Sequence, residues 1–508
     1  MPRPLIAADG SFVANLSRSA RKPLSARVRA VLMALFREGE SMLSGKTTWA
    51  ALMSGLALTA CASTGSTGTP TTPAASASAF PSTYVRPEYR PVLIRGATVF
   101  DGDGNEFANT DVTFENGRIT GIGQNLAAPA GAEIIDGAGK FVTPGIIDAH
   151  SHLGDYPSPG IQANSDGNEI TQPNTAEVWA EHSVWPQDPG FQRAVAGGIT
   201  ALHILPGSAN LFGGRGTTLR PVLGVATMQQ MKFPNAPQSL KMACGENPSR
   251  VYGARNQSPA TDMGNVAGWR QAFARATEYN RNIERSSAGS ANAPRAPDRD
   301  LELDTLAGVL RGEIRVQWHC YRANEMAIGL DIADEFGFEV AAFHHAVEAY
   351  KIADLLAEHG TCAAMWADWW GFKMEAYDGI RENIPFVDAS EGSCAIVHSD
   401  SAVGIQRLNQ EAAKAMADGR RAGLEITRAH AWTWLSRNPA RALGIEEETG
   451  TLTVGKAADV VVWSADPLSS YAVAERVYMD GALAHERGAS RLPPSDFELG
   501  QTAWSTGQ

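Results

Sequence analysis

From residue 92 to residue 142 apolar side chains alternate with polar ones. The run Val92-Leu93-Ile94-Arg95-Gly96-Ala97-Thr98-Val99-Phe100-Asp101 turns at Gly102 to Gly104, and the style continues from Asp111 to Ile122 and from Ala132 to Phe141. That alternation predicts strands with one buried face. A second such block, Gly450 to Trp463 and Arg476 to Gly481, lies near the other end. Neither block has enough strands for a sandwich alone, so the two are expected to meet in one small β-sandwich, over 89–143 and 440–490. Between them, short apolar runs alternate with helical stretches, the pattern of βα units around a parallel sheet. Strands are expected at 144–152, 198–205, 217–225, 238–245, 313–320, 338–345, 361–367 and 393–400. This number predicts a closed (β/α)8 TIM-like barrel over 144–439, an α/β fold whose functional groups sit at the strand C-terminal ends. Residues 246–312 exceed what one βα unit needs. They read as an insertion with a helix over 268–284, a disordered-looking stretch over 286–299 and a second helix over 300–310, serving as a lid or as a surface insertion.

Composition narrows the partners. The 508-residue chain is too long for a single core, and its net charge of −12 argues against nucleic acid or an anionic membrane surface as the natural partner. Residues 1–60 read as a signal segment, with Met42 an alternative start: Lys46 precedes a short apolar run that cannot span a bilayer. Its end, Leu58-Thr59-Ala60-Cys61, resembles a bacterial lipobox, which implies a lipid anchor on Cys61. Ala62 then favours the periplasmic face of the outer membrane; an ordinary signal peptide would instead leave a soluble periplasmic protein. Residues 61–88, which open in Ser, Thr, Gly, Pro and Ala, form a flexible linker, and 491–508 a tail. Cys244, Cys320, Cys362 and Cys394 are expected to be buried strand thiols, with no bridge assigned.

The candidate chemistry begins at Gly145-Ile146-Ile147-Asp148-Ala149-His150-Ser151-His152-Leu153. Strand alternation aims His150 and His152 to one side, where they could grip one cation. His319, His345 and Asp400 fall at other expected strand ends. Five polar ligands at matching ends make a metal site the natural reading.

The order of these parts, with Lys241-Met242-Ala243-Cys244-Gly245-Glu246-Asn247-Pro248, His319-Cys320-Tyr321-Arg322-Ala323, His398-Ser399-Asp400 and Asn438-Pro439-Ala440-Arg441, resembles the amidohydrolase superfamily of metal-dependent hydrolases. Within it the imidazolonepropionase-like group, which includes dipeptidases, is the most similar. The resemblance implies two zinc ions, with His150 and His152 on the buried one, His319 and His345 on the outer one, and Asp400 as both ligand and proton shuttle. On the fourth strand it implies either a carboxylated Lys241 bridging both ions or Glu246 as the ligand. An odd spacing sends these two to opposite faces of a regular strand.

Other residues stay open between two roles. His203 touches substrate or is a satisfied core histidine; His398 orients Asp400; His344 is expected to point away from the site and pack against helices. Arg215, in a glycine-rich loop after the second strand, is a candidate carboxylate clamp, as are Arg250 and Arg322 with Tyr321. The aromatic run Met365 to Phe372 is a pocket wall or plain packing. Tyr321 stands where many relatives have a second histidine. The expected activity is hydrolysis of a C–N bond in a small peptide-like substrate, a dipeptide or N-acyl amino acid, by a homo-oligomer. Imidazolonepropionase-like opening of a cyclic amide is the alternative enzyme, and a non-catalytic metal- or ligand-binding lipoprotein the alternative of another class.

Overall fold

The computed structural model describes residues 80–287 and 294–489. The expected signal segment, Cys61 and the tail lie outside them, and no helix among the described residues is long and apolar enough to cross a membrane. Part of the expected linker is tied down. Ser82 donates to the Lys232 carbonyl at 2.6 Å and Tyr84 to Asp480 at 3.0 Å, so the described end of the expected linker packs against the body.

The N-terminal strands are β1 (Val92–Phe100), β2 (Glu106–Glu115), β3 (Arg118–Gly123), β4 (Glu133–Asp136) and β5 (Phe141–Pro144). The barrel strands are β6 (Ile146–Ser151), β7 (Ile199–Ile204), β8 (Phe212–Leu219), β9 (Gln238–Ala243), β10 (Ile314–Cys320), β11 (Val340–His345), β12 (Cys362–Met365) and β13 (Ala395–Val397). Near the end come β14 (Val460–Trp463), β15 (Ala474–Met479) and β16 (Ala482–Glu486). The helices are α1 (Pro189–Ala196), α2 (Glu246–Gly253), α3 (Asp262–Ser287), α4 (Leu301–Leu310), α5 (Ala323–Phe336), α6 (Ala353–Glu358), α7 (Asn383–Asp388), α8 (Leu408–Arg421), α9 (Arg428–Thr433) and α10 (Arg437–Leu443).

Strands from both ends of the described chain share one sheet, in the order β16-β15-β14-β5-β1-β2-β3, with β4 also on β1. The join is the antiparallel pair β5–β14, Val142 opposite Val462. The sheet folds over its own core, bringing Phe114 of β2 to 5.0 Å from Tyr478 of β15. A buried ion pair fastens it to the barrel: Arg220, just past β8, donates to Asp459 at 2.7 Å.

The second sheet runs β6 to β13 in sequence order. Its third strand departs from expectation in place and in direction. β8 covers Phe212–Leu219, the glycine-rich stretch read as a loop, and it is antiparallel to both β7 and β9. The 205–211 connection is too short for a helical crossover, so the chain returns beside β7. The glycines are a packing requirement here, since a Cβ on Gly216 would lie 2.6 Å from Ser239 Oγ and 2.9 Å from His203 Nε2. β6 and β13 form no ladder. The 434–435 segment fills the seam, accepting from Val397 N at 3.1 Å and Ile147 N at 2.8 Å. Nearer the strand ends, Asp148 accepts from Ser399 N at 3.1 Å and Asp400 N donates to the His150 carbonyl at 3.0 Å.

Within the 246–312 segment, the described helices pack on the barrel. The apolar face of α3 joins the layer of helices on the barrel wall, with Trp269 edge-on to Trp318 at 4.9 Å and Phe273 stacked on Phe338 at 4.5 Å. The four cysteines among the described residues are not free thiols: Cys244 bonds Cys320 and Cys362 bonds Cys394. Neighbouring strands bring the two Cα pairs to 5.3 and 4.5 Å, within disulfide reach, a fact of register that sequence spacing does not carry.

Candidate metal centre at the barrel mouth

Six of the expected ligands converge. Asp400 Oδ1 lies 3.2 Å from His152 Nε2 and 3.6 Å from His150 Nε2, and Oδ2 lies 3.9 Å from His345 Nδ1. Lys241 Nζ, reaching in from β9, is 3.4 Å from His150 Nε2. The His319 and His345 rings stand 4.6 Å apart. Two strand ends achieve this with unusual backbone: φ is +71° at His345, +39° at Ala346 and +47° at Asp400. Such conformations cost energy in residues with a Cβ and gather at functional sites.

His344 is the correction with most consequence. It faces the barrel interior, while the left-handed turn at His345 lets the next ring reach the mouth as well. Gln317 Nε2 donates to the Ala442 carbonyl at 3.1 Å, which presents its Oε1 to His344 Nε2 at 2.7 Å. His344 Nε2 therefore carries the proton, and its Nδ1 accepts from His150 Nδ1 at 2.9 Å. The chain of bonds leaves the His150 Nε2 lone pair aimed into the site. His152 reaches the same state, because its Nδ1 donates to the Leu205 carbonyl at 2.7 Å.

Burial, with neighbouring charges adding to it, holds His150, His319, His344 and His345 well below the ordinary imidazole range, so these rings are neutral. Nδ1 of His319 and of His345 is buried without a hydrogen-bond partner. Unpartnered buried ring nitrogens, crowded beside other imidazoles and a carboxylate, are what a divalent cation satisfies, and a ligand set of imidazole and carboxylate suits zinc. The residues fit the expected metal. His398 does not hydrogen-bond Asp400: its Nε2 accepts the His345 backbone N–H at 3.3 Å, and its ring stands close enough to His150 and His345 for the three to share an ion.

Replacing Gln317 by Leu should lower zinc affinity about 10- to 100-fold, as losing a ligand's outer partner does. The Ala442 carbonyl keeps Arg315 as a donor at 3.2 Å, so the change spares the backbone. Competition with a chromophoric chelator measures it; wild-type affinity in the variant would refute the relay.

Four expected site residues lie elsewhere. Glu246 opens α2, past the end of β9, and pairs with Lys373 at 3.4 Å and Arg250 at 3.4 Å. The strand has ended before Glu246, so its carboxylate serves the loop above. Arg250 is exposed in that pair. His203 is fully engaged in the wall, Nδ1 with Thr218 at 2.9 Å and Nε2 with Ser239 at 2.8 Å. Arg215 lies on the wall side of β8, donating to Thr305 at 2.8 Å beneath the Trp179 ring, because its segment is strand and not rim loop. Tyr321 does stand at the mouth, stacked 5.3 Å from His345, while Arg322 follows it at the start of α5 and its charge acts on Glu325 and Asp378. Sequence reading missed Gln317 and Lys373, whose roles depend on strand register and loop path.

A family model described as the amidohydrolase family matches residues 314–482. The solved structure of an amidohydrolase from Thermotoga maritima MSB8 is 35% identical, covers 78% of this chain and 100% of that one, and superposes with a TM-score of 0.71. The chain belongs to the amidohydrolase family. Among curated proteins, amidohydrolase tasK of Hapsidospora irregularis is 34% identical to this amidohydrolase over 429 residues, 77% of this chain and 43% of that one. The chain thus spans less than half the length of that relative. The dihydroorotase of Geobacter sulfurreducens is 36% identical over 115 residues, 23% of this amidohydrolase and 22% of that enzyme.

Proposed function

We propose that this amidohydrolase hydrolyses the C–N bond of a small amide, a dipeptide or N-acyl amino acid. The observation that carries the reading is the convergence of His150, His152, Lys241, His319, His345 and Asp400 on one point at the barrel mouth. His150 and His152 would hold one divalent cation through Nε2, His319 and His345 a second, with Lys241, as its carbamate, between the two. When bound, such cations acidify water and polarise an amide carbonyl. Asp400 takes the proton from the attacking water and gives it to the departing nitrogen. Arg322, next along the chain from Tyr321, is the candidate to bind the substrate carboxylate.

Two disulfides support an oxidising compartment and so an exported enzyme anchored through Cys61. Purified protein loaded with zinc and bicarbonate should release amine from members of a panel of dipeptides and N-acyl amino acids. Cleavage of a cyclic imidazolone alone would replace this reading with the imidazolonepropionase-like one, and no cleavage at all would defeat it. Membrane-derived protein should begin at an acylated Cys61; a mature chain retaining earlier residues rules the anchor out.

A further inference from the structure

The segment after β12 carries Trp366, Trp369, Trp370 and Phe372 over the mouth. With Tyr321 they wall a cavity of about 480 Å³ whose floor includes Asp400. Trp366 forms the base of the wall, stacked 4.3 Å from His345 and 5.4 Å from Trp369, while Phe372 meets it edge-on at 5.8 Å. The outer rings are left in solvent: Trp369 is 44% exposed, Trp370 48% and Phe372 57%. Apolar exposure on this scale, continuous with a reaction centre, marks a place a ligand covers.

The charges along this segment, Asp368 of the cavity lining among them, each have a partner within the protein, and none of those pairs leaves a free cation. Lys373 lies 3.9 Å over the Tyr321 ring and pairs with Glu246 and Glu375, at 3.4 and 3.0 Å, and Asp368 pairs with Lys414 at 3.0 Å. The cavity therefore favours an uncharged apolar group, and its ring faces and edges favour an aromatic one. Its place in the reaction follows from the floor. Asp400 delivers its proton to the departing nitrogen, so the substituent nearest that nitrogen is the one that enters.

Building on the amide-hydrolase reading, we infer that the cavity holds the side chain of the leaving amino acid, and that this residue is aromatic. The test compares Ala-Phe, Ala-Ala and Phe-Ala with zinc-loaded protein. Ala-Phe should exceed Ala-Ala by about 10- to 100-fold in kcat/KM, the range that burying one large apolar side chain supplies, and should also exceed Phe-Ala. Trp369→Ala, at a solvent-exposed position, should cut the Ala-Phe to Ala-Ala ratio by about tenfold, and Phe372→Ala should act in the same direction. Equal rates for Ala-Phe and Ala-Ala, or a preference for Phe-Ala, would overturn the inference while leaving the hydrolase reading intact. If none of these three dipeptides is cleaved, the hydrolase reading is decided separately by the wider panel of dipeptides and N-acyl amino acids. Calorimetric titration with Ala-Phe and Ala-Ala then decides the pocket: tighter Ala-Phe binding, weakened by Trp369→Ala, supports it, and equal or absent binding overturns it. A change in sedimentation mass in Trp369→Ala with an unchanged ratio would assign the rings to contact between copies and overturn it too.

Discussion

Asp400→Asn should lower kcat/KM by about 10²- to 10⁴-fold, the range that a positioned proton carrier contributes. The substitution isolates that role. Asparagine is the same size and accepts the left-handed backbone, here φ +47°, more readily than most residues. An alanine there would add strain to lost chemistry. Burial pushes the Asp400 carboxyl up, but the neighbouring His152, His398 and Lys241 outweigh it in the metal-free protein and hold the group below its ordinary value. It is thus ionised and ready to accept a proton at neutral pH, which an amide is not. The melting temperature should match the wild type, and metal analysis should find His150 and His152 still occupied. A variant that keeps more than about a tenth of wild-type turnover would remove Asp400 from proton transfer.

Lys241→Ala should abolish most metal binding and, with it, turnover by about 10²-fold or more, the upper range seen when a ligand or its support is lost. Lys241 is 1% exposed, and burial lowers its ammonium to about 7. A neutral amine is what attacks carbon dioxide, forming the N–C bond and releasing a proton as the carbamate, so wild-type zinc loading should rise with bicarbonate and between pH 6 and pH 8. Acetate should partly restore metal to the alanine variant by supplying a carboxylate to the vacated space. The same group shapes the metal-free protein. As pH falls from 10.5 to about 7, the unfolded chain takes up a proton that the folded one refuses, so stability declines across that window; Lys241→Ala should flatten it. Zinc content in Lys241→Ala equal to the wild type, and indifferent to carbon dioxide, would refute the carbamate.

What could be read from the chain was what strand and helix periods encode. The apolar runs located most barrel strands, and the spacing of His150 and His152 located the site, since alternation alone sets where they point. Three features resisted for one shared reason, that they are set by neighbours distant in sequence. Glycines 213, 214 and 216 look like a loop until β9 is seen to need the space beside Gly216. His344 seemed to face outward, because it was taken to oppose His345; the positive φ at His345 breaks that alternation and admits both rings. Gln317 has no local signature, and only the register of β10 against β11 brings it to His344. Arg215 and Glu246 show the converse: residue types apt for chemistry were absorbed by the wall and by the mouth loop.

The seam between β6 and β13 gives the molecule a sense of time. His150 and His152 are made early, but the backbone that wedges the seam, 434–435, follows almost the whole barrel. Asp148 clasps Ser399 across the same joint. A nascent chain stopped short of this wedge would own every histidine of the site and the aspartate, yet only the Asp148–Ser399 and His150–Asp400 contacts would hold the two edges together. Synthesis to that point yields parts, and the last joint turns them into an instrument.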